Sequence, residues 1–256
     1  MTSRKRRALE IVLMLSAPLL ILAVWEFLSQ TERINPLFWP PPTTLWGTTK
    51  KLINDGTLFN DIWISTLRIL GGFLIGAIPG VIVGLAMGLF WPVRVFMMPI
   101  ATALYAVPKI AILPLVIIAF GIGEASKLAV VALSIFFLVV LNTMSGVMTI
   151  DRSYQDVARN FGASRWQLFT TVALPGALPA IFTGLRLALG FSLIVIVGAE
   201  FLSAKNGVGH LIWESYQTLA MKKMYVGLIV TGLMGWVLTL GLDLIEKLAL
   251  PWNQNE

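Results

Sequence analysis

The chain has 256 residues, of which 57% are hydrophobic and only 12% charged, and its mean hydropathy is +0.83. This composition excludes a soluble domain and is typical of a polytopic membrane protein. The net charge of +6 reflects membrane topology rather than an acidic partner such as nucleic acid. Because there is no cysteine and one histidine, disulfides, thiolate catalysis and metal sites built from Cys or His are excluded, and no cofactor is predicted on this chain.

The first predicted element is a membrane span over residues 11–25, which follows four basic residues at positions 4–7. A secretory signal peptide is the alternative interpretation. The apolar run, however, ends in bulky residues and has no small-residue cleavage site. We therefore predict a retained first span, and the basic block predicts that the tail, residues 1–10, is cytoplasmic.

The next segment, residues 29–66, is more polar and contains the run Pro40-Pro41-Pro42. We predict an extracytoplasmic loop in which residues 44–53 form a short amphipathic helix on the membrane surface. A purely structural loop is favoured over a docking surface.

Five further apolar runs follow, at residues 69–93, 95–123, 128–150, 176–202 and 224–242. In the first of these, glycine recurs at every fourth position from Gly72 to Gly88, which makes a smooth helix face for close packing. The second is interrupted by three prolines. The sequence thus predicts an all-α membrane protein with about six transmembrane helices, in one domain over residues 1–256 with both termini cytoplasmic.

A polar island at residues 151–175 separates two of these runs. Two serines in it, Ser153 and Ser164, each precede an acidic or amide residue by three positions, which is the spacing of a capping box. Gly162 lies between them, where a helix needs a left-handed C-terminal residue. This pattern predicts two short helices joined by a tight turn at Gly162, the second ending at Pro175.

The polar island resembles the EAA motif of ABC-importer permeases, whose consensus is Glu-Ala-Ala, three residues, Gly, nine residues, Ile, one residue, Leu-Pro. Every spacing is kept here, with Asp-Val-Ala in place of Glu-Ala-Ala and Val in place of Ile. In that family the loop is a coupling helix that docks into a groove on a cytoplasmic ATPase. The resemblance therefore implies coupling roles for Asp156, Val157, Ala158, Arg159, Gly162, Ala163, Leu174 and Pro175.

Other blocks resemble the nitrate, sulfonate, taurine and bicarbonate branch of these permeases, at residues 38–43, 65–73, 113–115, 120–127 and 184–190. Together they cover most of the chain from position 38 to about position 209. One departure is that residues 104–109 replace the Arg-Pro-Ile-Pro-Pro of many members. This departure leaves the identity of the solute open.

The resemblance implies a type I ABC-importer permease fold that works as a dimer, with a second copy or a paralogue, in the bacterial inner membrane. It also implies two ATPase subunits that carry ATP and Mg, an extracytoplasmic substrate-binding protein, and import of a small anion such as nitrate, a sulfonate, taurine or bicarbonate. The sequence has no Gly-x-x-x-x-Gly-Lys-Ser/Thr, so the chain itself is not expected to be an enzyme. Import of a neutral heterocycle or vitamin precursor is the alternative.

Three charged residues lie within the predicted spans, where charge is costly and usually functional: Lys109, Arg186 and Glu200. We hypothesise that Lys109 gives positive potential to a translocation path, with Arg186 and Glu200 as tentative members. For Lys109, a pairing or crevice-facing role is the equal alternative. Arg186 and Glu200 are too far apart on one helix to pair with each other, so we expect each to pair with a neighbouring span.

A different class, the ion-coupled secondary carrier, remains an alternative. Such a carrier is expected to have paired acids within the membrane, whereas Glu200 is the only carboxylate well inside a predicted span.

Overall fold

The computed structural model describes residues 3–253, and within them the side chains of residues 3–12, 14, 15, 152 and 253 lie outside the description. The side chains of the basic block at positions 4–7 are among these. The described chain is helical and has no strand, as predicted. Its α-helices are α1 Ser3–Gln30, α2 Pro42–Asn54, α3 Thr57–Leu89, α4 Trp91–Ala106, α5 Leu113–Phe120, α6 Glu124–Met148, α7 Arg152–Asn160, α8 Arg165–Leu168, α9 Leu174–Ser203, α10 Val208–Gln217 and α11 Met221–Ala249. Short 3₁₀ helices lie at Lys109–Ile112 and Pro251–Asn253, and a π-turn at Phe169–Ala173.

Among the residues that the structure describes, four continuous helices are long and apolar enough to cross a membrane: Thr57–Leu89, Glu124–Met148, Arg165–Ser203 and Met221–Ala249. A fifth candidate is broken, because Trp91–Ala106 and Lys109–Phe120 are bent by 89° relative to each other. In α1 the stretch with described side chains, Ser16–Gln30, is apolar. Within the described residues, four or five of the six predicted apolar runs thus meet the length and composition of a span.

The break in the fifth candidate lies at Pro108, one of the three prolines that interrupt the predicted run over residues 95–123. Pro108 lacks an N–H group and pushes the preceding residue out of the helical region. Val107 is accordingly extended, with φ −66° and ψ 129°. Pro99, by contrast, lies within α4.

The polar segment at residues 29–66 is more helical than predicted. α2 confirms the short helix expected at residues 44–53, and α3 begins at Thr57, well before the predicted end of the loop. Gly56, with φ +76°, makes the turn between the two helices, and the Asp55 carboxylate accepts a hydrogen bond from the Thr57 N–H at 3.0 Å. This side-chain bond satisfies an N–H group at the start of α3, which lets the helix begin early.

The chain forms two compact units, Met1–Asn60 with Leu211–Ile229, and Asp61–His210 with Val230–Glu256. In the first unit, α1 and α2 are joined through Glu26, whose carboxylate accepts hydrogen bonds from the Thr43 N–H at 3.0 Å and the Thr43 hydroxyl at 2.7 Å. The carboxylate thereby caps α2, because Pro41 at the N-cap has no side chain that could do so.

In the second unit, α6 is the most buried of the spanning helices and packs against α3, α4 and α9. The glycine face of α3 lies on α6, which confirms the predicted close packing of a helix on this face. At Gly76 the approach is so close that an added Cβ would lie 2.5 Å from the carbonyl oxygen of Ala132. On the α9 side, an added Cβ at Gly146 would lie 2.5 Å from the Cβ of Ala180. Small residues thus bring the three helix backbones together where lipid supplies no hydrophobic drive.

Candidate functional site: a helical hairpin and the charges within the spans

The hairpin formed by residues 151–175 begins at α7. Its N-cap is Asp151, whose carboxylate accepts a hydrogen bond from the Ser153 N–H at 2.8 Å. The prediction of Ser153 as the cap is therefore wrong by two positions. The carboxylate also has the favourable charge for a helix N-terminus, and the bond from the Ser153 backbone lowers the pKa of Asp151 below its ordinary value.

The turn after α7 has the geometry of a Schellman motif. Gly162 has φ +77°, and its N–H donates to the Arg159 carbonyl at 2.9 Å. The N–H of Ala163 donates to the Ala158 carbonyl at 3.0 Å. These are the two bonds that close a helix at a left-handed residue, so the predicted turn at Gly162 is confirmed.

The second helix begins with the predicted capping box. The Ser164 hydroxyl accepts from the Gln167 N–H at 3.3 Å, and the Gln167 side-chain oxygen accepts from the Ser164 N–H at 2.8 Å. The prediction that this helix ends at Pro175 is wrong, because the helical backbone continues from Arg165 to Ser203. A five-residue π-helical segment, Phe169–Ala173, ends two residues before Pro175. At this point a regular α-helix would need the N–H group that proline lacks.

The outer surface of the hairpin carries large apolar side chains. Tyr154, Val157, Phe161 and Trp166 are exposed, Phe161 by 88% and Trp166 by 71%. Our sequence interpretation named only Val157 among these, although aromatic residues in a polar island were a visible signal.

The eight predicted coupling residues divide by exposure. Asp156, Val157, Arg159 and Gly162 are exposed, whereas Ala158, Ala163, Leu174 and Pro175 are partly buried. The first four are therefore accessible on the surface of the chain.

Lys109 lies at the break between α4 and α5. Its ammonium group donates hydrogen bonds to three backbone carbonyls, those of Leu104 at 2.6 Å, Tyr105 at 2.9 Å and Val107 at 2.6 Å. The lysine thus caps the C-terminal end of α4, where the helix dipole favours a cation. These partners are neutral carbonyls, so none of the three offsets the charge of the ammonium group.

Arg186 on α9 pairs with α11, as expected of a charge within a span. Its guanidinium lies 2.7 Å from the Asp243 carboxylate and 2.5 Å from that of Glu246. The two acids, which the sequence interpretation did not assign, neutralise the arginine. All three side chains are partly exposed.

Glu200, also on α9, pairs with α3 and is fully buried. Its carboxylate accepts hydrogen bonds from Arg68 at 2.7 Å, from the Ser65 hydroxyl at 2.8 and 3.0 Å, and from the Gly209 N–H at 2.8 Å. These bonds provide the compensation that a carboxylate needs in a low-dielectric interior.

Arg68 is 4% exposed and uses all five of its N–H donors. It makes a bidentate pair with Glu124, with both bonds at 2.6 Å, one bond to Glu200, and bonds to the backbone and side-chain oxygens of Asn206 at 2.8 and 2.7 Å. Lys127 adds a bond to Glu124 at 3.2 Å. We call Ser65, Arg68, Glu124, Glu200 and Asn206 the buried charge cluster after its buried centre of Ser65, Arg68 and Glu200. Glu124 lies at its exposed edge and Asn206 is partly buried.

No group of three or more His, Asp or Glu side chains suited to a metal ion occurs in the part of the chain that the structure describes.

Over residues 72–252, the sequence matches the model of a protein family described as "binding-protein-dependent transport system inner membrane component". The chain belongs to this family. The permease is similar to the taurine transport system permease protein TauC of Escherichia coli, with 34% identity over 95% of this chain and 90% of the relative. It is 37% identical to the putative aliphatic sulfonates transport permease protein SsuC of E. coli, over 92% and 90% of the two chains. It is 31% identical to the nitrate import permease protein NrtB of Synechocystis, over 91% and 87%.

The permease also resembles a chain of the MetNI methionine ABC transporter, solved in inward-facing conformations. The TM-score is 0.67 at 16% identity, over 75% of the permease and 95% of that chain. This likeness confirms the predicted ABC-importer permease fold.

Proposed function

We propose that the permease forms the translocation path of an ATP-driven importer for a small anion, and that it works by alternating access. The observation that carries this proposal is the group of relatives, whose names specify taurine, aliphatic sulfonates and nitrate. These solutes share an anionic sulfur or nitrogen oxyacid group. The permease is 30% or more identical to these relatives over nearly its whole length.

The energy for import would come from a separate ATPase that binds ATP and Mg and docks on the hairpin. Two capping arrangements hold the hairpin in one shape, and its exposed aromatic side chains form an apolar surface on an otherwise polar element. Such a surface is typical of a protein contact. Asp156, Val157, Arg159 and Gly162 would contact the ATPase, while Ala158, Ala163, Leu174 and Pro175 would support them.

The complete importer would contain two ATPase subunits, a second permease copy or paralogue, and an extracytoplasmic substrate-binding protein. It would lie in the bacterial inner membrane with both permease termini in the cytoplasm. This orientation puts the hairpin on the side where the ATPase and its ATP are found.

Lys109 is better suited to attract an anion than Arg68, Lys127 or Arg186. Arg68, Lys127 and Arg186 each contact a carboxylate, which offsets their charge. The ammonium group of Lys109 is instead held by backbone carbonyls at the broken span. Its charge therefore remains as a positive potential, which in a low-dielectric setting acts over several ångströms.

We expect Lys109→Met and Lys109→Gln to lower ATP-dependent uptake about tenfold, and Lys109→Arg to retain most of it. Glutamine can still donate to the α4 carbonyls but carries no charge, so it separates the capping role from the electrostatic one. The measurement is initial uptake by complexes in proteoliposomes, with ATPase activity recorded in parallel. Normal uptake by Lys109→Gln would remove the charge from the mechanism.

The solute class is tested by uptake competition in cells that depend on this permease. Labelled taurine, methanesulfonate, nitrate and a neutral pyrimidine vitamin precursor are each offered with and without an excess of the other three solutes or of bicarbonate. Import blocked by anions alone supports the proposal. Import of the neutral pyrimidine, with no uptake of the anions, would contradict it and favour the neutral-solute alternative.

A further inference from the structure

The turn between α9 and α10 is held by side chains from other parts of the fold. Three consecutive backbone N–H groups, those of residues 207–209, donate to Asp61 at 2.7 Å, Ser65 at 2.9 Å and Glu200 at 2.8 Å. The first N–H groups of a helix have no partner within the helix. Here α3 and α9 supply these partners, so the start of α10 is bound to both helices.

The turn between α9 and α10 also packs directly on the Glu200 carboxylate. Gly207 has φ +112°, and an added Cβ on it would overlap the Glu200 carboxylate. At Gly209 an added Cβ would lie 2.6 Å from the Val197 carbonyl oxygen and 2.8 Å from the Glu200 Cβ. Gly207 and Gly209 thus let the backbone at the start of α10 lie directly against Glu200.

Arg68 holds the other side of the turn. It binds both oxygens of Asn206 and is saturated by five hydrogen bonds. A saturated, buried guanidinium has no donor left for a solute. Its role is therefore to hold α3, α6, α9 and the turn at residues 204–207 in one arrangement.

The same helix that ends at the buried charge cluster begins in the hairpin. The backbone is helical over the 39 residues from Arg165 to Ser203, which is about 58 Å of helix. This exceeds the hydrocarbon thickness of about 30 Å. The hairpin and Glu200 therefore lie near opposite ends of one continuous helix.

We propose that Arg68 and Glu200 are positioning residues for transport. Their contacts make the α9–α10 turn move together with α9 when the ATPase displaces the hairpin. The proposal rests on the proposed function, because it takes the hairpin as the ATPase contact. It adds that ATP binding on one side of the membrane changes the turn at residues 204–207 on the other.

The test uses a single cysteine on that turn. The chain has no cysteine, and Lys205 is exposed, so Lys205→Cys gives the permease one accessible thiol. The complex of permease and ATPase is purified, and the rate of maleimide labelling of the permease is measured without nucleotide and with ATP and vanadate. We expect the two rates to differ about fivefold, as for a typical coupling between distant sites.

Two variants are then added to the Lys205→Cys background. Glu200→Gln removes the charge but leaves Arg68 its bidentate partner Glu124, and Asn206→Ala removes one side-chain bond at a partly buried position. In both, the difference between the two rates should fall below about twofold while the ATPase still co-purifies. If Glu200→Gln does not fold, the difference between the two labelling rates in Asn206→Ala alone tests the proposal.

Val139→Ala is the control for lost stability, because Val139 is fully buried in α6 and lies outside the cluster. This variant should unfold at a lower temperature and keep the nucleotide-dependent labelling difference. The proposal is overturned if the difference persists in Glu200→Gln and Asn206→Ala, or if Val139→Ala loses it equally. It is also overturned if Lys205→Cys alone shows no difference, and co-purification of the ATPase would then leave the proposed function standing.

Discussion

Gly162→Val is expected to abolish co-purification of the ATPase and to reduce ATP-dependent uptake by at least about tenfold. Gly162 has φ +77°, a conformation that costs a residue with a side chain about 1–2 kcal/mol and a β-branched residue more. The two bonds that close α7 depend on this conformation. Without them α7 and α8 lose their relative orientation, and the exposed apolar side chains of the hairpin no longer form one surface. The measurement is affinity purification of the permease followed by quantification of bound ATPase.

The matched control is Gly56→Val. Gly56 has φ +76° and, like Gly162, has no atom within 4 Å of an added Cβ, so the two substitutions impose the same local strain. Only the turn at Gly162 lies in the hairpin. ATPase binding retained by Gly162→Val, or lost equally in Gly56→Val, would show that the hairpin is not the docking element.

Gly76→Val should strongly reduce the amount of folded permease and lower its unfolding midpoint by about 5–10 °C. The nearest atom to an added Cβ at Gly76 is the backbone oxygen of Ala132 at 2.5 Å. A backbone atom cannot move aside as a side-chain end can, so α3 and α6 must separate. Thermal unfolding in detergent, followed by loss of the monodisperse peak, measures the effect.

Gly232→Val on α11 controls for the substitution itself, since nothing lies within 4 Å of an added Cβ there. It should unfold within about 2 °C of the wild type. Equal stability of Gly76→Val and Gly232→Val would contradict the close contact between α3 and α6.

The sequence was most informative where the determinants are local. The left-handed turn at Gly162 and the capping box of Ser164 with Gln167 each depend on residues within a few positions, and the structure has both. The glycine spacing in α3 likewise reports a single helix face. Errors arose where two local signals competed. Asp151 and Ser153 are both good N-cap residues, and spacing alone favoured the wrong one.

The continuation of the helix through Pro175 could not be predicted from the sequence. A proline usually stops a helix, but here it follows a π-turn, and the sequence has no pattern that signals a π-turn in advance. The break at Pro108 was visible as a proline, whereas its 89° angle depends on packing.

The buried charge cluster could not be derived from one sequence. Arg68 and Glu200 are 132 positions apart and Arg68 and Glu124 are 56 apart, and no local rule selects these partners among the other charges. The sequence indicated only that a charge within a span needs a partner. That expectation holds for Glu200, and for Arg186 with its two acids on α11.

Import driven by ATP is tested most directly by solute accumulation in proteoliposomes that contain the purified complex of permease and ATPase with the binding protein. The solute is the anion that gives the highest uptake in cells. We expect accumulation that requires ATP and Mg and is unchanged by a proton ionophore. Accumulation driven by an imposed proton or sodium gradient without ATP would contradict this expectation and identify a secondary carrier.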